Sequence, residues 1–168
     1  RFASIHRLEC YSADEIAQIV QRSARILDVK LDALGAKEIA GASRRTPRVA
    51  NRILKRVRDY AEVHRGGIIT APVASEALAL FEIDRLGLEP ADRAVLQAIV
   101  DRFRGGPAGL QAISAVTSEE MHTIEDVIEP YLIQIGFLAR TPRGRIVTPE
   151  GYRHLGLESP SDLEAKLF

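Results

Sequence analysis

Apolar residues recur every three or four positions through most of this chain, and the phase of that repeat predicts helices. Ser12 with Glu15 three residues on has the form of a capping box. Ile16, Ile19, Val20, Ser23 and Leu27 then fall on one face of a first helix. A second, short helix is predicted from Asp32 to Ala42. Thr46 followed by Pro47 predicts a third, with Thr as N-cap and Pro at its first position. That helix reaches Val63 and buries Val49, Ile53, Val57 and Tyr60. His64 to Gly67 reads as a turn, and Thr70 to Phe81 as a fourth helix. Residues 3 to 11 alternate loosely, like the end of a strand. The first half therefore reads as a small helical bundle without a parallel sheet.

The stretch EIDRLGLE at 82–89 breaks the repeat and marks a boundary between domains. Beyond it, Pro90 to Phe103 predicts a helix burying Val95, Leu96, Ile99, Val100 and Phe103. Gly105-Gly106-Pro107 stops it, and a short helix follows from Gly109 to Val116. Thr123 with Asp126 has the spacing of another capping box. It opens a helix from Ile124 to Ile135 that buries Ile124, Val127, Ile128, Tyr131 and Ile135, and Gly136 ends it. FLART, the turn PRGR and IVT then read as a β-hairpin. Three helices followed by a hairpin is the order of a winged-helix domain, and RTPRGR at 140–145 falls at the wing tip.

The chain has 168 residues, 46% of them hydrophobic, so a packed core is affordable and wholesale disorder is excluded. No apolar run is long enough to span a membrane. No basic-then-apolar leader precedes the first helix. Cys10 is the single cysteine, which excludes an internal disulfide and fits a reducing cytoplasm. The chain opens on Arg rather than Met and reads as a piece of a longer protein. Formal net charge is zero, but residues 1–82 carry 14 Lys/Arg against 10 Asp/Glu, and residues 83–168 carry 9 against 13. Neither half is a general polycation, so nucleic-acid binding has to rest on local patches.

Two such patches share the tetrapeptide RTPR. In the wing, Arg140, Arg143 and Arg145 surround a Gly that allows a tight turn, with no acid nearby in sequence. Guanidinium groups on a projecting hairpin suit phosphate contact. The preceding helix carries Glu125, Asp126 and Glu129 where a major-groove reader would be basic or neutral, so contact should favour backbone over bases. The other copy, at 45–48, opens a run from Arg44 to Arg58 with seven basic residues and no acid. Arg48 lies in the first turn of its helix, where free N–H groups and the helix dipole favour an anion. Spacing alone leaves a phosphate site and a solvated basic face equally open there. Arg52, Lys55, Arg56 and Arg58 spread around the helix and read as structural or solvated. The four histidines are scattered without metal-ligand spacing. Glu119-Glu120 reads as a polar lead-in to a helix, not a catalytic pair. The glycine cluster at 105–109 lacks the Lys-Ser/Thr of a phosphate loop.

RTPRVANRILKRVRDYAEV, FRGGPAGL and TIEDVIEPYLIQIGFLARTPRGR together resemble the C-terminal part of the RuvB family, bacterial Holliday-junction branch-migration motors of the AAA+ class. The resemblance covers most of residues 1 to about 157. It implies a mainly α chain: an AAA+ helical lid bundle followed by a winged-helix domain with a short β-hairpin wing. Residues 1–11 would end the large ATPase domain, 12–82 would form the lid, 83–157 the DNA-binding head and 158–168 a variable tail. Arg1, Tyr11 and Arg48 match nucleotide-contacting positions, Arg48 being the sensor arginine of the lid. Arg140 and Arg145 match DNA-contacting arginines, with Arg143 between them. Arg45 departs from a usual Gly, and Met121 stands where relatives can carry an arginine near DNA.

The implied parent is an ATP- and Mg²⁺-dependent DNA helicase acting as a homohexamer in the bacterial cytoplasm. Its partners would be Holliday-junction arms, RuvA through the large domain, and RuvC. The piece seen here would be inactive alone and would hold no tightly bound cofactor. Two rivals remain: an AAA+ replication initiator, and a non-enzymatic winged-helix regulator. A regulator would prefer one operator over unrelated DNA.

Overall fold

A computed structural model describes residues 11–160. The chain forms two compact units, one ending at Leu88 and the other beginning at Glu89.

The first unit is built on four helices: α1 (Ala13–Ile26), α2 (Ala33–Gly41), α3 (Pro47–His64) and α4 (Ala71–Leu80). The capping box at α1 forms, with Glu15 N–H donating to Ser12 Oγ at 3.2 Å and Ser12 N–H to Glu15 Oε2 at 2.8 Å. These bonds satisfy N–H groups that a helix start leaves without partners. They also hold the Glu15 carboxyl below its ordinary pKa, the bond from the Ser12 backbone foremost. Ile16, Val20, Ile39, Ile53, Leu54, Val57 and Ile69 fill the core. α1 packs on α2 and α3, and α4 closes over the same pair.

Two details depart from the sequence reading. A parallel pair of two-residue strands, β1 (Lys30–Leu31) and β2 (Ile68–Ile69), joins the loops before α2 and α4. Strands this short leave no period to read, and the intervening α2 and α3 supply the crossover that parallel pairing needs. Thr46 stands at the N-cap of α3, but its hydroxyl makes no cap. Instead Thr46 Oγ1 donates back to Arg44 O at 3.0 Å.

The loop before α3 is tightly wound. Arg44 and Arg45 both lie in the left-handed region, at φ 53° and 52°. Arg44 Nε donates to Gly87 O at 2.8 Å. Gly87 packs so closely on this loop that a Cβ there would come 2.3 Å from Ala42 O.

The second unit begins with α5 (Pro90–Phe103) and α6 (Leu110–Thr117). α7 (Met121–Thr123) then runs through a π-helical turn, Ile124–Ile128, into α8 (Glu129–Gln134). The Thr123–Asp126 box expected here does not form. Thr123 is already helical at φ −62°, ψ −43°, and Glu120 occupies the N-cap of α7. Pro130 accounts for the π turn. It lacks an N–H, and its ring would clash with the carbonyl four residues back. Glu129 N–H reaches back five residues to Ile124 O, widening the helix at that point. The wider turn shifts the buried stripe: Ile124, Ile128 and Leu132 are buried, Val127 is exposed, and Tyr131 and Ile135 are half-buried.

The strands β3 (Leu138–Thr141) and β4 (Gly144–Val147) pair antiparallel, and α9 (Pro149–His154) follows. The glycine cluster after α5 lies along the outer edge of β4. Ala108 and Arg145 exchange both backbone bonds, at 2.9 and 2.8 Å, and Val147 N–H donates to Gly105 O at 3.0 Å. Leu96, Ile99, Ile113, Ile124, Leu132 and, from β4, Ile146 are the unit's largest fully buried side chains.

Candidate nucleic-acid interface

Only Pro142 and Arg143 lie in the hairpin turn, the first two residues of the PRGR turn read from the sequence. Thr141 Oγ1 donates to Gly144 O at 2.9 Å across it. Gly144 has φ 139°, and a Cβ there would lie 2.5 Å from Ala108 O. A glycine is therefore required where the neighbouring segment crosses the base of the wing.

The three wing arginines separate into different environments. Arg143 is exposed at the tip and makes no ion pair or hydrogen bond with the described residues. Arg140 and Arg145 stand directly opposite each other in the strand register. The sequence neighbourhood contains no acid, but the fold supplies two, from the π turn and the residue after it. Arg145 is only 8% exposed. Its Nε and Nη2 both donate to Glu129 Oε2, at 2.9 and 2.7 Å. Glu129 is itself 2% exposed. Arg140 is exposed, and its Nη2 donates to Glu125 Oε1 at 3.2 Å. Its Nη1 lies 3.6 Å from the other Glu129 oxygen, Oε1, which accepts no hydrogen bond. Thus Arg140 and Arg143 face solvent, whereas Arg145 belongs to the strand and points its charge into a buried pair.

Glu125 and Glu129 are functional candidates that sequence reading missed. Both were legible as helix acids, but only as groups that repel phosphate. Their spacing of four, on one side of a helix beside an arginine hairpin, was the available signal.

In the first unit, Arg48 is exposed in the first turn of α3 and makes no ion pair or hydrogen bond with the described residues. Because Thr46 does not cap, the N–H groups of Arg48 and Val49 have no acceptor among the described residues. An anion could take them. The rest of the basic run is engaged or dispersed. Arg56 stacks over the Phe81 ring at 4.0 Å, and Arg58 pairs with Asp59 at 2.6 Å. Tyr11 is exposed just ahead of α1, in a shallow groove with Glu15, Ile19 and Arg22 that does not include Arg48. Arg1 lies outside the described residues. Among the described residues no cluster of His, Cys, Asp or Glu could hold a metal ion, and no helix is long and apolar enough to cross a membrane.

The family comparison decides what this pairing of units is. The profile of the RuvB AAA lid domain matches residues 11–84, and that of the RuvB C-terminal winged helix domain matches residues 85–156. The chain belongs to the RuvB family. It is similar to Thermotoga maritima RuvB, described as a Holliday junction branch migration motor, at 44% identity and a TM-score of 0.85. That match covers 91% of this chain and 51% of the other. A point mutant of the same Thermotoga protein matches at 44% identity and a TM-score of 0.87, over 95% of this chain and 53% of the other. The chain thus spans about half the length of the solved relatives it matches. Its helical first unit is a RuvB-type lid, and its second is a RuvB-type winged helix whose wing carries Arg140 and Arg143 to the surface.

Proposed function

We propose that this chain supplies the lid and DNA-binding head of an ATP-driven motor that moves Holliday junctions during recombination and repair. In this reading residues 12–82 act as lid and 83–157 as head, with 1–11 closing a large ATPase domain and 158–168 a variable tail. ATP and Mg²⁺ would bind chiefly to that large domain. Arg48, with the free N–H groups beside it, would meet the nucleotide phosphates from the lid, and Arg1 and Tyr11 would border the same nucleotide. The working assembly would be a bacterial cytoplasmic homohexamer, meeting RuvA through the large domain, with RuvC at the same junction.

The observation that carries the DNA half is the wing. Arg143 has no partner among the described residues, and Arg140 is exposed and held only by one surface pair with Glu125 and a longer contact to Glu129. The acidic helix beneath repels phosphate from the groove-reading position. Such a head holds backbone and is indifferent to sequence, as a motor that must pass every sequence requires.

A salt titration of binding to two duplexes of unrelated sequence tests this. Affinity should fall with salt as counterions are released. Changing Arg140 and Arg143 to Ala should lower the salt slope by about one unit per lost contact. Both duplexes should respond alike. An unchanged slope removes the wing from the mechanism, and a strong preference for one duplex favours a regulator.

A further inference from the structure

Glu129 is an unusual residue to find under a DNA-binding wing. A carboxylate 2% exposed is costly to bury unless it is paired. Here it is paired twice over. Oε2 takes two nitrogens of Arg145, and Oε1 faces Arg140 at 3.6 Å without a hydrogen bond of its own. Arg140 and Arg145 sit directly opposite across the hairpin, where two like charges repel and splay apart. One negative charge placed between them removes that penalty. The π turn at Ile124–Ile128 and Pro130 set where this carboxylate emerges from the helix. The backbone of Arg145 is fixed as well, by its two bonds to Ala108.

Glu125 is different. It is partly exposed; its Oε1 meets Arg140 in a surface pair at 3.2 Å and lies 3.8 Å from Arg145 Nη2, beyond hydrogen-bond reach. A pair of that kind contributes little and is readily exchanged for a phosphate. Two carboxylates four residues apart therefore stand in opposite relations to the same arginine.

We propose that Glu129 is a positioning residue of the DNA grip, the shared counter-charge that holds Arg145 and Arg140 side by side and aims Arg140 at the backbone, while Glu125 is a competitor that phosphate displaces. This rests on the wing reading above. A phosphate arriving at Arg140 takes the place of Glu125 and leaves Glu129 where it was.

The proposal makes the same change of charge act in opposite directions. Glu125→Gln and Glu129→Gln each make the head more positive by one unit. Glu125→Gln should tighten binding to a short duplex. Glu129→Gln should weaken it, by about tenfold if the pair couples as neighbouring charged groups do. The weakening should vanish in an Arg140→Ala background, because Glu129 acts through that residue. A merely structural role would lower affinity in both backgrounds alike. Thermal melting and far-ultraviolet circular dichroism establish that each variant is folded. If Glu129→Gln does not fold, the cycle is run with Glu129→Asp, which keeps the charge but draws the carboxylate back from both arginines. Loss of affinity that disappears with Arg140→Ala supports the proposal. Equal tightening by both Gln variants, an unchanged affinity, or losses that simply add would overturn it. Failure of the wild-type chain to bind duplex at all would instead sink the wing reading itself.

Discussion

Arg45 shows how much one residue's backbone can say. Its φ of 52° is a conformation that glycine enters freely and that a residue with a Cβ enters at a cost. The family resemblance implied only that Arg45 stands where similar chains usually have Gly. The left-handed angle supplies the physical reason, since the loop still winds the way a glycine would wind it. Replacing Arg45 with Gly should therefore stabilise the first unit, by about 1 kcal/mol, read as a rise in thermal midpoint. A fall would mean that the arginine side chain holds the loop by contacts worth more than the strain. Arg145 teaches the complementary lesson. Its type and spacing were plain in RTPRGR, but its burial depends on a helix acid 16 residues away. No local pattern reports a partner at that distance.

At the scale of elements, most helices were legible because their caps and apolar stripes agree. Ser12 with Glu15, the Pro at the start of α3, and Gly136 behind α8 each mark an end that the structure keeps. Legibility failed where a helix departs from its usual period. The π turn before Pro130 displaced the buried stripe from Val127 to Leu132, and a 3.6-residue template cannot anticipate that. It also failed for β1 and β2, which are too short to show a period. The wing depends on a close approach between elements. Gly144 lies against Ala108 with no room for a side chain. Gly144→Ala should push the Ala108 segment off β4 and cost roughly 2 to 3 kcal/mol of stability. The same variant should bind duplex more weakly even at temperatures where it remains folded. Native-like binding in a chain so changed would show that the wing tolerates a loosened base.

The two units carry different halves of the proposed work, each on its own core. Neither contains a phosphate cradle of the Walker type, and the sequence has no such motif anywhere in its 168 residues. Phosphoryl transfer needs that cradle and a held Mg²⁺. The purified chain alone should therefore show no steady-state ATP turnover. Turnover that copurifies with the chain and responds to Arg48→Ala would contradict this. The family to which the units belong was foreshadowed by long motifs. Spacing alone left a phosphate site and a solvated face both open at Arg48; the structure adds that the Thr46 hydroxyl bonds backwards to Arg44 and leaves the helix start without a side-chain cap.

Arg44 and Gly87 give that loop a second meaning. The hydrogen bond from Arg44 to Gly87 O ties the segment that launches α3 to the last residues of its own unit. Gly87 has no slack, since even a methyl group there would run into the Ala42 carbonyl. A shaft needs a key as well as a fit, and here the close packing is the fit and the guanidinium is the key. If the chain works as proposed, a movement at the start of α3 would be passed to residue 87 through this bond and this contact. The stroke would then be set less by how far Arg48 travels than by how little this joint yields.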